Sequence, residues 1–188
     1  MSKSIRIGID PSINCTGVCV WDTDRDIHCY YMIPSKVTKK MSIFQHDFVR
    51  ILPYIKQDIK NLEYSEKEKL KFDNIYNISN KIGIILDTFN PDHVYIEGIS
   101  YGSVGSAALI DLSFLNASIR MILKQRGIKF TIVSPTSLKK FACANGQAEK
   151  DIMIDAWRRM DPIISNIKDI KVDDLADSYF LAHYNFVS

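Results

Sequence analysis

The sequence predicts an α/β fold in which a mixed five-stranded sheet is covered by helices on both faces. Three observations carry that expectation. Three short strand-like runs follow one another at the start of the chain; two further β-branched runs then alternate with long helical patterns; and 188 residues suit one domain, residues 1–188, with a single sizeable core.

Residues 4–10, 16–22 and 26–33 read as an antiparallel meander, the last two runs joined by the polar turn Thr23-Asp24-Arg25. After the break at Pro34-Ser35, residues 41–60 and 66–89 carry apolar side chains at three- and four-residue spacing and read as two helices. The alternating charges of residues 63–71 suit a solvated connection or an exposed helix turn. Asn90-Pro91-Asp92 stops the second helix, and residues 93–97 form a short β-branched run of the kind buried in a sheet. A small-residue loop, residues 100–106, leads into a helix over 107–126 that Gly127 caps, and residues 129–133 make the fifth strand. Helical patterns over 135–143, 148–160 and 172–186 complete the chain, with Gly146 and Pro162 in the gaps.

Net charge is +2, too small for the field of the whole molecule to identify a nucleic-acid partner, so that argument depends on where the charges sit. No apolar run is long enough to span a bilayer, and the start lacks the apolar segment and cleavage site of a secretory signal, so a cytoplasmic protein with no membrane partner is expected. Cys15, Cys19, Cys29 and Cys143 lack the paired spacing of a zinc knuckle and read as buried reduced thiols, Cys15 and Cys19 on one strand face. The histidines His28, His46, His93 and His183 are too dispersed to read as a zinc set, and Trp157 reads as helix packing.

The chemistry lies in the acids. Asp10 closes the apolar run Ile5-Arg6-Ile7-Gly8-Ile9, and Glu97 closes Val94-Tyr95-Ile96. In a mixed sheet those two strand ends are neighbours, which places both carboxylates at one sheet edge. Asp174 and Asp177 lie three apart in a helical pattern, and Asp173 and Asp177 four apart, so either pair shares a helix face. Aspartates in a first helical turn also serve as caps, which is the favoured reading of Asp173 and an open alternative for Asp174 and Asp177. Leu175, Tyr179 and Phe180 give this helix an apolar side that would dock it on the sheet and turn the acids inward. Like charges gathered there call for a cation between them, and hard oxygen ligands suit magnesium or manganese.

Gly8-Ile9-Asp10-Pro11-Ser12 with Thr16-Gly17 beginning the next strand, Tyr95-Ile96-Glu97, Val133-Ser134-Pro135 followed by Lys139-Lys140, Gly146-Gln147-Ala148-Glu149-Lys150, and Asp174-Leu175-Ala176-Asp177-Ser178 stand in the order of the motifs of RuvC-type Holliday junction resolvases. Over nearly its whole length the chain resembles that family, which belongs to the RNase H-like, or retroviral integrase, superfamily. Its ending, from Lys171 to Ser178, looks more like phage and viral members. Three features depart from the pattern. Ser12 stands where a glycine is usual, the insertion over 35–72 is longer than in bacterial members, and Tyr101 falls one position later than the usual phenylalanine.

The resemblance implies an RNase H-like fold and a structure-specific endonuclease acting on four-way and related branched DNA. It further implies that Asp10, Glu97, Asp174 and Asp177 hold two Mg2+ or Mn2+ ions, that Asp10 is the shared ligand, that the product carries a 5′ phosphate, and that Lys150 lies near the scissile phosphate. Without the Gly-x-Ala-x-Lys context, Lys150 would read as a plain exposed lysine. Lys139, Lys140, Arg158 and Arg159 are candidates for phosphate contacts, or simply soluble surface. Tyr101, in a loop with Gly98, Gly102 and Gly105, suits stacking on an unpaired base or burial in the core. The helix over 107–126, with Leu109, Leu112, Phe114, Leu115 and Ile119, has more apolar positions than one stripe needs, which suits a homodimer. That such a dimer matches the two-fold symmetry of a junction rests on the resemblance.

Other readings share some of these residues. RNase H and flap nucleases use the same acidic centre. A phosphotransferase of the actin-like and sugar kinase fold also opens with an acid followed by a Thr-Gly hairpin, but the chain has no second copy of the hairpin and no glycine-rich adenosine loop. A non-catalytic scaffold of the same fold would not require the four acids.

Overall fold

In the computed structural model the described residues are 4–39, 41, 48–54, 61–99, 106–161 and 173–185. Their strands are β1 (Ile5–Asp10), β2 (Cys15–Asp22), β3 (Ile27–Pro34), β4 (Val49–Ile51), β5 (His93–Glu97) and β6 (Phe130–Val133), and their helices α1 (Tyr64–Phe89), α2 (Ser106–Gln125), α3 (Pro135–Cys143), α4 (Lys150–Met160) and α5 (Asp173–His183). The strands form one mixed sheet in the order β4-β3-β2-β1-β5-β6. β1, β2 and β3 are the antiparallel meander; β5 runs parallel to β1, and β6 parallel to β5.

The sheet has six strands among the described residues, not the expected five. Val49–Ile51 falls inside the run expected to be helical over 41–60, yet it pairs in parallel with Tyr30, Tyr31 and Met32 of β3. Pro53 lies in that run and disfavours a helix there, because it lacks an N–H and clashes with the preceding turn. Three residues make a strand only with a partner, and this partner lies about twenty residues upstream, beyond the reach of local periodicity. Residues 42–47 and 55–60 of that expectation lie outside the described residues.

The two faces of the sheet hold separate cores. Ile5, Ile7 and Ile9 of β1 alternate with Val94 and Ile96 of β5 to meet Ile75, Ile78, Ile82 and Leu86 of α1 and Leu115, Ile119 and Leu123 of α2. On the other face, Cys15, Cys19, Tyr30 and Met32 pack against Leu138 of α3, Met153 and Trp157 of α4, and Leu175 and Phe180 of α5. β2 is buried along all eight residues, as a strand covered on both faces must be. Cys15 and Cys19 are buried free thiols and Trp157 is packed at 0% exposure, as expected, whereas Cys29 and Cys143 are free thiols but only half-buried.

Local signals set the helix ends. Glu63 and Glu66 form a reciprocal capping box at the start of α1, and Asn90 ends it in the left-handed region at φ 46°. Ser134 accepts a hydrogen bond from the Ser137 amide with Pro135 in the first turn of α3. Gly127 closes the α2 end at φ 67°, where a side chain would be strained. Among the described residues no helix is long and apolar enough to cross a membrane.

Candidate active site

One strand organises the site through three alternate residues. Arg6, Gly8 and Asp10 of β1 point to the same face, beneath α5. Gly8 and Gly17 let the helix lie on the sheet without side chains between. A Cβ on Gly8 would stand 2.0 Å from the Ser178 carbonyl oxygen, and one on Gly17 would stand 2.1 Å from that of Asp174. Gly17 is the register partner of Asp10, so the helix segment carrying Asp174 is pressed against the strand position beside Asp10. At the far end, Arg6 donates from Nε to the Ala182 carbonyl oxygen at 2.8 Å and from a terminal nitrogen to that of Tyr184 at 2.6 Å. An acid thus lies under the N-terminus of α5 and a cation under its C-terminus, the arrangement the helix dipole favours.

Glu97 arrives from the neighbouring strand. The parallel register Ile9↔Ile96 carries Asp10 and Glu97 to adjacent strand ends, and their carboxyl groups share a hydrogen bond. Asp10 is 7% exposed, while Glu97, Asp174 and Asp177 are half-buried. Burial pushes all four carboxyls upward, Asp174 to about 6 and Asp177 to about 7. For Asp10 the charges of Glu97, Asp177 and Asp174 add to the burial effect and drive it well above the usual carboxylate range. Such groups cannot all ionise together at neutral pH unless a cation joins them.

The donor chemistry fits a hard divalent cation: four carboxylates, desolvated and mutually repelling, with oxygen ligands alone. The side chains are not closed into a ligand shell as they stand, since no three His, Cys, Asp or Glu among the described residues are placed to hold an ion. Residue types and clustering fit, with Asp10 and Glu97 hydrogen-bonded to each other.

Two neighbours of the acids escape a sequence reading. The Cys15 thiol donates to the Asp174 carboxylate, and burial followed by that acid's charge drives the thiol far up, so it stays protonated. Asp173, expected as a cap, is ion-paired with Lys150. Either contact needs the tertiary fold to be seen, although Cys15 lies only five residues after Asp10 across the hairpin.

The basic candidates separate. Lys139 and Lys150 both pull the Glu97 carboxyl downward against its burial, which places their charges within reach of the acids. Lys140 is exposed at the last turn of α3. Arg158 pairs at 3.7 Å with Asp155 one turn earlier, and Arg159 is exposed, with its charge felt at Cys143. Tyr101 lies outside the described residues.

Comparison with known proteins agrees over almost the whole chain. The family described as "Crossover junction endodeoxyribonuclease RuvC" matches residues 6–183. A protein of that description from Bifidobacterium longum subsp. infantis is 29% identical over 184 residues, 95% of this chain and 76% of the relative. Among solved structures, Thermus thermophilus RuvC superposes with a TM-score of 0.59 at 16% identity, covering 95% of this chain and 90% of that one. The same protein in complex with a Holliday junction substrate gives a TM-score of 0.58 at 14% identity over the same shares.

Proposed function

The chain belongs to the RuvC family of crossover junction endodeoxyribonucleases, and from that premise we propose that Asp10, Glu97, Asp174 and Asp177 are the centre with which it cuts the phosphodiester strands of four-way DNA junctions. The observation that carries this reading is the burial of four acids from three elements against one another, where lost solvation and neighbouring negative charge make them costly to ionise together. A fold maintains such a cluster at a cost in stability, and function is the reason to keep it.

Asp10, whose carboxyl feels the charges of the other three, would hold Mg2+ or Mn2+ ions together with Glu97, Asp174 and Asp177. Bound there, the ions would supply a water of lowered pKa and neutralise the leaving oxygen. The protein's part is positional. β1 and β5 fix Asp10 and Glu97 through backbone register, α5 presents Asp174 and Asp177 rigidly because it rests on two glycines, and Lys150 meets the phosphate from the rim. Lys139 adds positive charge beside Glu97, and Lys140, Arg158, Arg159 and Tyr101 remain candidates for holding the junction arms and branch point.

Cleavage of labelled four-way junction, linear duplex, flap and RNA/DNA hybrid in magnesium, with an Asp10→Asn control, tests the reading. Paired symmetric nicks in the junction, lost in the control, are expected. Preferential cutting of hybrid or flap would discard the substrate, and cutting by the control would discard the site.

Two strands must be cut, and a homodimer would supply two centres. Support comes from α1 and α2, where Phe72, Tyr76, Ile110, Phe114 and Met121 are all exposed and Phe72, Phe114 and Met121 help to line a groove of about 330 Å3. Contiguous apolar side chains of this kind mark an association surface. Phe114→Glu should shift the protein from dimer to monomer in sedimentation velocity while leaving its far-ultraviolet spectrum unchanged.

A further inference from the structure

Lys150 opens α4 with its side chain 73% exposed, and its ammonium is ion-paired with the carboxylate of Asp173, itself 20% exposed at the start of α5. The pair ties together the first residues of two helices 23 positions apart. Asp173 differs from the four central acids in having a cation of its own. The ammonium is not drawn away from the centre by that contact, because its charge is still felt at Glu97, Asp174 and Asp177. An exposed ion pair adds little to stability, so support of the fold is a poor account of it. A lysine side chain left to itself samples many rotamers, and an ammonium has three donors, of which one partner occupies one.

We propose that Asp173 is a positioning residue: through its ion pair it holds the Lys150 ammonium at the mouth of the acidic centre, leaving the remaining donors to meet the phosphodiester being cut. The inference rests on the reading of the acidic centre above. It assigns Asp173 a role distinct from that of Asp174, its neighbour in sequence. Asp174 turns in against Gly17 and Cys15, whereas Asp173 turns toward α4.

The test compares wild type, Asp173→Asn, Asp173→Glu, Lys150→Gln and the double variant Asp173→Asn/Lys150→Gln on a labelled four-way junction across a magnesium series. Asp173→Asn should lower kcat about tenfold, as misplacement of a phosphate-binding group does. KM and the magnesium concentration for half-maximal rate should not move, and Asp173→Glu should restore most of the loss. In the Lys150→Gln background, Asp173→Asn should cost nothing more, since the ion pair through which it positions the ammonium is already gone. Side-chain NMR relaxation in metal-free protein should show the Lys150 terminal methylene ordered in wild type and mobile in Asp173→Asn. An undiminished rate loss in the Lys150→Gln background, a raised magnesium requirement, or a wild-type rate in Asp173→Asn would overturn the proposal. No cleavage by wild type would remove the acidic-centre reading, and this inference with it.

Discussion

The two ends of α5 both bury polar groups, and they do so in opposite ways. At the N-terminal end, Asp174 and Asp177 meet Asp10 and Glu97, so that the partners of each acid are largely other acids. At the C-terminal end, donors and acceptors alternate. The Tyr179 carbonyl can only accept, so the proton of His183 sits on Nδ1, 2.9 Å away, and Nε2 of His183 accepts from Nε2 of His28 at 3.2 Å. Nearby, the Trp157 indole donates to the Tyr30 hydroxyl at 3.1 Å, and that hydroxyl donates to Asp161, which is 1% exposed. Trp21 stacks on His183 at 3.9 Å and donates to Asp26. The C-terminal cluster is complete without a ligand, and the N-terminal one is not. A saturated network stabilises a fold, whereas an array of like charges is kept for what it will bind.

Exchanging lesions between the two ends gives the sharpest separation. Asp10→Asn should reduce junction cleavage by at least about a thousandfold, yet leave the metal-free protein at pH 8 as stable as wild type or more so, because one member of a repelling set loses its charge. Asp161→Ala should do the reverse. It leaves the Tyr30 hydroxyl without its buried acceptor, at about 2–3 kcal/mol in denaturant unfolding, while the rate per folded molecule stays within about twofold. If Asp161→Ala abolished cleavage in still-folded protein, the two ends would not be functionally distinct.

Gly17→Ala should damage both properties. The added carbon has no room beside the Asp174 carbonyl oxygen, which is backbone and cannot rotate away. We expect a loss of about 1–3 kcal/mol in chemical denaturation as the helix shifts, together with loss of most activity. Wild-type behaviour in both assays would mean that α5 does not rest on β2 as described.

Smaller, and opposite in sign at the two ends, is the dependence of metal-free stability on pH. Asp174 and Asp177 titrate at about 6 and about 7 in the folded protein, against roughly 4 when unfolded. Between those values the folded chain holds protons that the unfolded chain has released, so their contribution is present below pH 4 and is lost as pH rises toward 7. His183 is held down to about 4 by burial, and His28 is lowered as well, so the unfolded chain binds the extra proton. Their contribution is present above roughly pH 6.5 and is lost on acidification. Over the same acid-to-neutral window, Asp177→Asn should therefore remove a fall in stability with rising pH, and His183→Gln should remove a rise. Slope changes of the same sign in both variants would break the distinction.

Much of the N-terminal cluster was legible in the sequence because each acid ends a short apolar run or lies on a helix with an apolar side. Asp10 and Glu97 announce themselves as charges where a buried strand stops. The docking of α5 was readable from Leu175, Tyr179 and Phe180, and Gly8 and Gly17 acquire their physical reason once that helix is seen lying on them. The C-terminal network was not legible, because His28 and His183 are 155 residues apart and nothing local links a strand histidine to a helix histidine. β4 was missed for a related reason: its strand character comes from β3. The Lys150 and Asp173 ion pair joins two helix starts whose individual patterns say only where each helix begins.

The central claim is that the four carboxylates are held ready for a cation, and thermal unfolding at pH 8 with and without magnesium, in wild type and Asp10→Asn, tests it without reference to cleavage. Magnesium should raise the midpoint of wild type by several degrees, as binding to the folded state alone requires, and should leave Asp10→Asn nearly unmoved. Equal shifts in both proteins, or none in wild type, would contradict the account.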